Sequence, residues 1–262
     1  MPGRFFKRAK EILLGTPRDI QDPRIFQHIS LIAFFAWVGL GADGISSSAY
    51  GPEEAYLALG SHPVLALFVA AATVVTVLVI SASYSQIIEA FPSGGGGYIV
   101  ASKLLGEKTG VVSGSALVID YVLTITVSVA AGADAIFSFL PADWLPHKFQ
   151  FIAFVLAILI WLNLRGVKES VVTLTPIFLA FILTHVPLIL YAILRHVPDL
   201  ADVGSRVSTD LNAASAEMGW LGVLALLLRA YSMGAGTYTG IEAVSNSMQT
   251  LREPRVQTGK RA

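Results

Sequence analysis

Three carboxylates lie deep within apolar stretches of the 262-residue sequence: Asp43 in "GLGADGISSSAYG", Asp120 in "IDYVLTITVS" and Glu242 in "YTGIEAVSN". An acid at mid-bilayer costs about 2.5 to 3.5 kcal/mol on insertion scales, so such residues face a protein interior or a wet cavity and mark ion or substrate paths. Asp120, Thr124 and Ser128 are spaced by four, which stacks their oxygens along one helix face. Together with Asp43, Tyr50, Thr239 and Glu242 they make a candidate pocket in which every ligand presents oxygen and none is basic. Hard cations take carboxylate, carbonyl and hydroxyl oxygens, so this chemistry favours a cation. Carboxylates in such a place also exchange with protons, because desolvation and like-charge neighbours favour the protonated form. The Gly-rich stretches leave an alternative open, since bare amides at helix N-termini also receive an anion or an amino-acid carboxylate.

The elements that must carry these residues are membrane helices. The chain is 54% hydrophobic and 14% charged, whereas soluble domains carry about 25% charged residues. A spanning helix needs about 20 mostly apolar residues, and six stretches qualify, near 30–60, 64–91, 111–140, 149–164, 171–194 and 220–248. The expected organisation is a cytoplasmic leader over 1–28, a transmembrane domain over 29–250 and a cytoplasmic tail over 251–262. Short cytoplasmic loops carry the excess of Lys and Arg. Fourteen of these residues fall on the side of the leader, Lys103, Lys108, Arg165, Lys168 and the tail, against Lys148, Arg195 and Arg206 opposite, which places the N-terminus inside. Net charge is zero and points to no nucleic acid. No cysteine is present, so disulfide, thiolate-metal and cysteine-nucleophile chemistry are excluded.

Two spans look interrupted. In hydrocarbon a helix breaks only where protein or a water-filled cavity surrounds the break. The first span carries Gly41, Gly44 and Gly51 among three serines, and the sixth carries Gly234, Gly236 and Gly240 among Thr237, Thr239 and Glu242. Paired interruptions in corresponding spans point to a secondary transporter built from inverted five-helix repeats. Gly and Ser also serve as ordinary packing residues in membrane helices, and a Thr hydroxyl often bonds its own helix. Three intramembrane acids on the same spans weigh against that plainer reading.

The blocks "ADGISSSAYGPE", "FPSGGGGYIVASKLLGEKTG", "IDYVLTITVSVAAGADAI", "LNLRGVKES" and "YTGIEAVSN" resemble, in order and spacing, the APC superfamily of amino acid, polyamine and organocation permeases, and within it the KUP-family potassium importers. The resemblance implies an all-α membrane protein with a LeuT-like fold, here the first five-helix repeat plus the opening discontinuous helix of the second. It also implies proton-coupled potassium import across the plasma membrane. In that family the ion ligands are an acid and a tyrosine seven residues apart, an acid, threonine and serine row, and a threonine and glutamate three apart. Those positions read Asp43 and Tyr50; Asp120, Thr124 and Ser128; Thr239 and Glu242. Family members have about twelve spans and form dimers, so a chain ending after the sixth is expected to be a truncated form or to have its remainder elsewhere. Potassium and protons are then cargo and no cofactor is expected.

Other signals carry less. "FPSGGGGYIV" lacks the Gly-Lys-Ser/Thr of a phosphate loop; its glycines are expected to pass close to the broken first helix. His185, two residues before Pro187, reads as a hydrogen-bonded structural histidine. Asp134 reads as a residue of the outer vestibule, and Glu53 and Glu54 as dipole partners at the start of a second half-helix. No enzyme is expected, because no nucleophile has a base at suitable spacing. The rival readings are an amino acid permease of the same fold and a non-transporting membrane subunit or fragment.

Overall fold

The computed structural model describes residues 8, 10, 11, 15, 16 and 22–262, apart from the side chains of Pro23, Arg24 and Ala201. Most of the expected leader therefore lies outside the described residues. Among the described residues the chain forms helices and a single isolated bridge. In order these are α1 (Pro23–Ile29), α2 (Ala33–Ala58), α3 (Ala66–Ala90), α4 (Gly96–Val100), α5 (Glu107–Phe137), α6 (Lys148–Arg165), α7 (Val167–His196), α8 (Leu200–Met233), α9 (Ala243–Asn246) and α10 (Arg255–Arg261). Five helical stretches are long and apolar enough to cross a membrane: Pro63–Ala90, Glu107–Phe137, Ala142–Arg165, Val167–Asp199 and Asp202–Tyr238. They leave Leu78, Leu123, Phe154, Leu183 and Leu221 exposed, as helices do when lipid is their solvent. This is an all-α, multi-pass membrane architecture.

Helix α2 is long but less apolar, because it carries Asp43, Ser46, Ser47, Ser48, Glu53 and Glu54. It also corrects an expectation. The first span is not broken at residues 41–51 but runs as one helix with Pro52 inside. The serines explain it: Ser46 and Ser47 donate to the Asp43 carbonyl at 2.8 and 3.2 Å, and Ser48 to the Ile45 carbonyl at 2.6 Å. Hydroxyls that bond back to the preceding turn are compatible with continuous helix. Glu53 and Glu54 consequently sit exposed near the C-terminal end of α2 rather than at a helix start.

The sixth expected span does break. After Met233 the chain tightens into a 3-10 turn over Gly234–Tyr238, extends at Thr239 (φ −70°, ψ 153°) and turns at Gly240 (φ 83°) before α9. Upstream, Asp202–Tyr238 counts 37 residues, about 55 Å of helix at ~1.5 Å per residue against a hydrocarbon core of ~30 Å. Gly219, at φ 71° and ψ 166°, kinks α8 and separates residues 200–218 from the apolar part. These residues, between the fifth and sixth apolar runs, are helical, as are residues 96–105.

The helices group into two compact units, residues 1–41, 85–176 and 242–262 in the first and residues 42–84 and 177–241 in the second. In the first unit the C-terminal segment is strapped to the beginning of the chain. Leu31 N–H donates to the Thr250 carbonyl at 2.8 Å and Arg252 N–H to the Leu31 carbonyl at 2.9 Å, with Leu31 and Leu251 fully buried. Arg252 also donates to the Gln27 carbonyl at 2.6 Å, Arg255 lies over the Phe26 ring, and Lys260 pairs with Glu89. The glycines of residues 94–96 were expected beside the first helix, but have their nearest neighbours elsewhere. They lie against residues 245–248, where a Cβ on Gly94 would come within 3.1 Å of the Asn246 carbonyl.

The second unit is built around Ala55, Leu59, Leu65, Val69, Ala214, Val223 and Ala230. Beside this core, in the turn between α2 and α3, His62 is buried and its Nδ1 lies 2.7 Å from Asp210 Oδ1, while Nε2 lies 3.4 Å from Glu217 Oε2. The hydrogen bond to Asp210, and the charges of both acids, raise the His62 pKa against the opposing effect of burial. His62 thus clamps residues 200–218 onto the turn, most firmly when its ring is protonated. A raised histidine pKa contributes stability that is fully present below its unfolded value of about 6.5 and is lost as pH rises through the folded value. The melting temperature of purified protein, scanned upward from about pH 6, should therefore fall in the wild type and change less in His62→Gln; parallel curves would contradict the clamp.

Candidate ion-binding site

Helix α2 presents Asp43, Ser47 and Tyr50 on one face, because residues three and four apart align along a helix. In the second unit the interrupted segment after α8 lies against that face. Ser47, fully buried, stands 3.1 Å from Tyr50 Oη and 3.0 Å from Thr239 Oγ1, within hydrogen-bond reach of both. Thr239 Oγ1 donates to the Gly236 carbonyl at 2.8 Å. Its proton is committed there, so Ser47 acts as donor toward Thr239 or the Asp43 carbonyl, and Tyr50 donates to Ser47. That order leaves the Tyr50 oxygen lone pairs unused within the triad. A hydroxyl cluster beside a carboxylate-bearing residue, at a place where a helix gives up its own hydrogen bonds, is suited to a desolvated cation.

Glycines allow this approach. A Cβ on Gly240 would come within 2.7 Å of Asp43 Cγ, and the left-handed φ of 83° disfavours any other residue there. On Gly51 it would meet the Thr237 backbone nitrogen at 2.9 Å, and on Gly236 the Tyr50 ring at 3.0 Å.

The remaining candidates lie in the first unit. Asp120, Thr124 and Ser128 form a half-buried stripe along α5, flanked by exposed Ile119, Leu123 and Ile125. Next to Asp120, Tyr121 Oη accepts a hydrogen bond from Asn246 Nδ2 at 2.8 Å, which ties the stripe to α9. Glu242 stands at the start of α9, half-buried, and its carbonyl accepts from Asn246 N–H at 2.9 Å and Ser245 Oγ at 2.8 Å. The structure thus brings Asp43, Tyr50 and Thr239 together in the second unit, and aligns Asp120, Thr124 and Ser128 on one face in the first, the unit that also holds Glu242. Among the described residues no three His, Asp or Glu side chains gather as they would around a metal ion; the carboxylates enter singly, among hydroxyls and carbonyls.

Ser47, the hub of the cluster, was missing from the sequence candidates. Its signal was position: four residues after Asp43 and three before Tyr50. His185 is held by its own helix, with Nδ1 2.9 Å from the Phe181 carbonyl and the ring stacked on Phe181. Asp134 pairs with Lys148.

The sequence comparisons say to which family this multi-pass helical chain belongs. Residues 29–260 match the family described as "Amino acid permease"; the chain belongs to this family, part of the APC superfamily. It is 37% identical over 262 residues to the "Potassium transporter KimA" of Bacillus subtilis (strain 168), an alignment covering 98% of this chain and 42% of that protein. The chain therefore spans less than half the length of this relative.

The glycine contacts predict the outcome of two substitutions. Gly51→Ala and Gly240→Ala should each destabilise the protein by about 1–3 kcal/mol, the range for overpacking and for a strained φ, read as a lower melting temperature by tryptophan fluorescence. Gly132→Ala, inside α5 where a Cβ meets open space, should not lower it.

Proposed function

We propose that the chain is the N-terminal part of a secondary active transporter that imports potassium together with protons across the plasma membrane, with its N-terminus in the cytoplasm. The observation that carries the reading is the cluster of buried Ser47 with half-buried Tyr50 and Thr239, beside Asp43 at the interrupted helix. Its oxygens suit a monovalent cation. The likeness to a potassium transporter supports the same cargo. In this reading potassium is held by Asp43, Tyr50, Asp120, Thr124, Ser128, Thr239 and Glu242. Each group offers one carboxylate among hydroxyls, and a carboxylate that changes protonation couples the proton. The LeuT-like fold, with this chain as its first repeat and the opening helix of the second, supplies alternating access once the second repeat is present. A homodimer of the complete protein is part of the proposal.

The family description favours a second reading, an amino acid permease. Against it, the uninterrupted α2 exposes no run of bare amides for a carboxylate. Uptake of rubidium and of labelled amino acids, in cells expressing the protein from its complete coding sequence, separates the two. Rubidium should accumulate, and Asp120→Asn and Ser47→Ala should each lower the rate about tenfold or more, the loss of ~1.4 kcal/mol or greater at the limiting step. Amino acid accumulation without rubidium would overturn the proposal.

A further inference from the structure

The first unit also carries a cleft lined by basic and apolar residues. The cleft, of 1010 Å³, opens between α1, the C-terminal end of α6 and the first turns of α7. Its lining combines the basic groups of Arg165, Lys168 and His28 with apolar Ile25, Ile29, Leu162 and Val172, and includes Glu169. Because α6 is one of the bilayer-crossing helices, its last residue, Arg165, marks a boundary between hydrocarbon and water. Trp161, one turn earlier, has the amphipathic ring that settles at such boundaries.

The basic groups are prepared for an anion. The Arg165 guanidinium lies 5.3 Å from the centre of the Trp161 ring, which holds the planar fork in place while its N–H groups remain outward donors. Lys168 Nζ donates to the His28 carbonyl, and an ammonium has three donors. One acid, Glu169, also lines the cleft, with its carboxyl against Gly166, where an added Cβ would come within 3.2 Å of its Cδ. That position places its charge at the N-terminus of α7, where the helix dipole favours it.

We propose that this cleft binds an anionic glycerophospholipid, with its phosphate on Arg165 and Lys168 and an acyl chain along Ile29, Leu162 and Val172. Basic pockets between helices at the membrane boundary select lipid headgroups by this combination. A free phosphate would use the basic groups and leave the apolar residues uncovered. The inference rests on the chain crossing a bilayer and is independent of which ion is carried.

Native mass spectrometry of the purified protein in detergent, titrated with phosphatidylglycerol, tests it without transport. The wild type should bind the lipid, and R165Q/K168Q should bind about tenfold more weakly or worse, as expected when ~1 kcal/mol per basic residue is removed. V172W should also weaken binding by crowding the apolar lining without changing charge. K103Q/K108Q, altering a different basic loop, should bind as the wild type does. Phosphatidylcholine with the same acyl chains should bind at least about tenfold more weakly, and millimolar inorganic phosphate should not displace the lipid. Unchanged phosphatidylglycerol binding by R165Q/K168Q, equal binding of the two lipids, or displacement by phosphate would overturn the proposal. Should R165Q/K168Q elute as aggregate on gel filtration, V172W and the comparison of lipids decide the question alone.

Discussion

Every backbone polar group at membrane depth needs a partner, because hydrocarbon offers none. Helix α2 and the segment after α8 meet that demand in different ways. In α2 the helix is kept, and Ser46, Ser47 and Ser48 add side-chain bonds to carbonyls of the preceding turn. After Met233 the helix is given up, and the chain is supported instead by close contact with α2. Thr239 caps the Gly236 carbonyl, Ser47 holds Thr239, and Gly240 lies against Asp43. One intact helix braces one broken segment, and their shared hydroxyls are the feature that gives this part of the chain its chemistry.

The brace depends on side chains that are absent as much as on those present. Gly51, Gly236 and Gly240 each occupy a place where a methyl group would strike the opposing element. In the first unit the glycines of residues 94–96 do the same for residues 245–248. Asn246 then reaches Tyr121, beside Asp120. Small residues thus bring polar groups within hydrogen-bond distance, and the polar groups in turn satisfy the exposed backbone.

The all-helical membrane class was legible from composition and from apolar runs, because hydropathy sums over many residues and tolerates local error. The interruption near Gly240 was legible too, since three glycines among threonines cannot sustain a buried helix unaided. The same reasoning misread residues 41–51. Glycine and serine lower helix propensity, but serine hydroxyls can serve a helix as readily as they serve a break, and only the packed structure decides. Residues 200–218 lie outside the six apolar runs, and their helix and its His62 clamp depend on partners distant in sequence. The acids and hydroxyls of the candidate site were chosen by intramembrane cost, helical spacing and family resemblance, which together passed over Ser47. A serine among three serines carries no distinguishing mark until Tyr50 and Thr239 are placed beside it.

The central claim is that the cluster of Asp43, Ser47, Tyr50 and Thr239 holds a potassium ion stripped of water. Anomalous diffraction from crystals of the complete protein grown with rubidium or thallium in place of potassium tests it most directly. The account predicts an anomalous peak in coordination contact with oxygens of Asp43, Tyr50 or Thr239, absent from crystals of Asp43→Asn. Ordered water in that position, with the heavy cation bound elsewhere or nowhere, would contradict it.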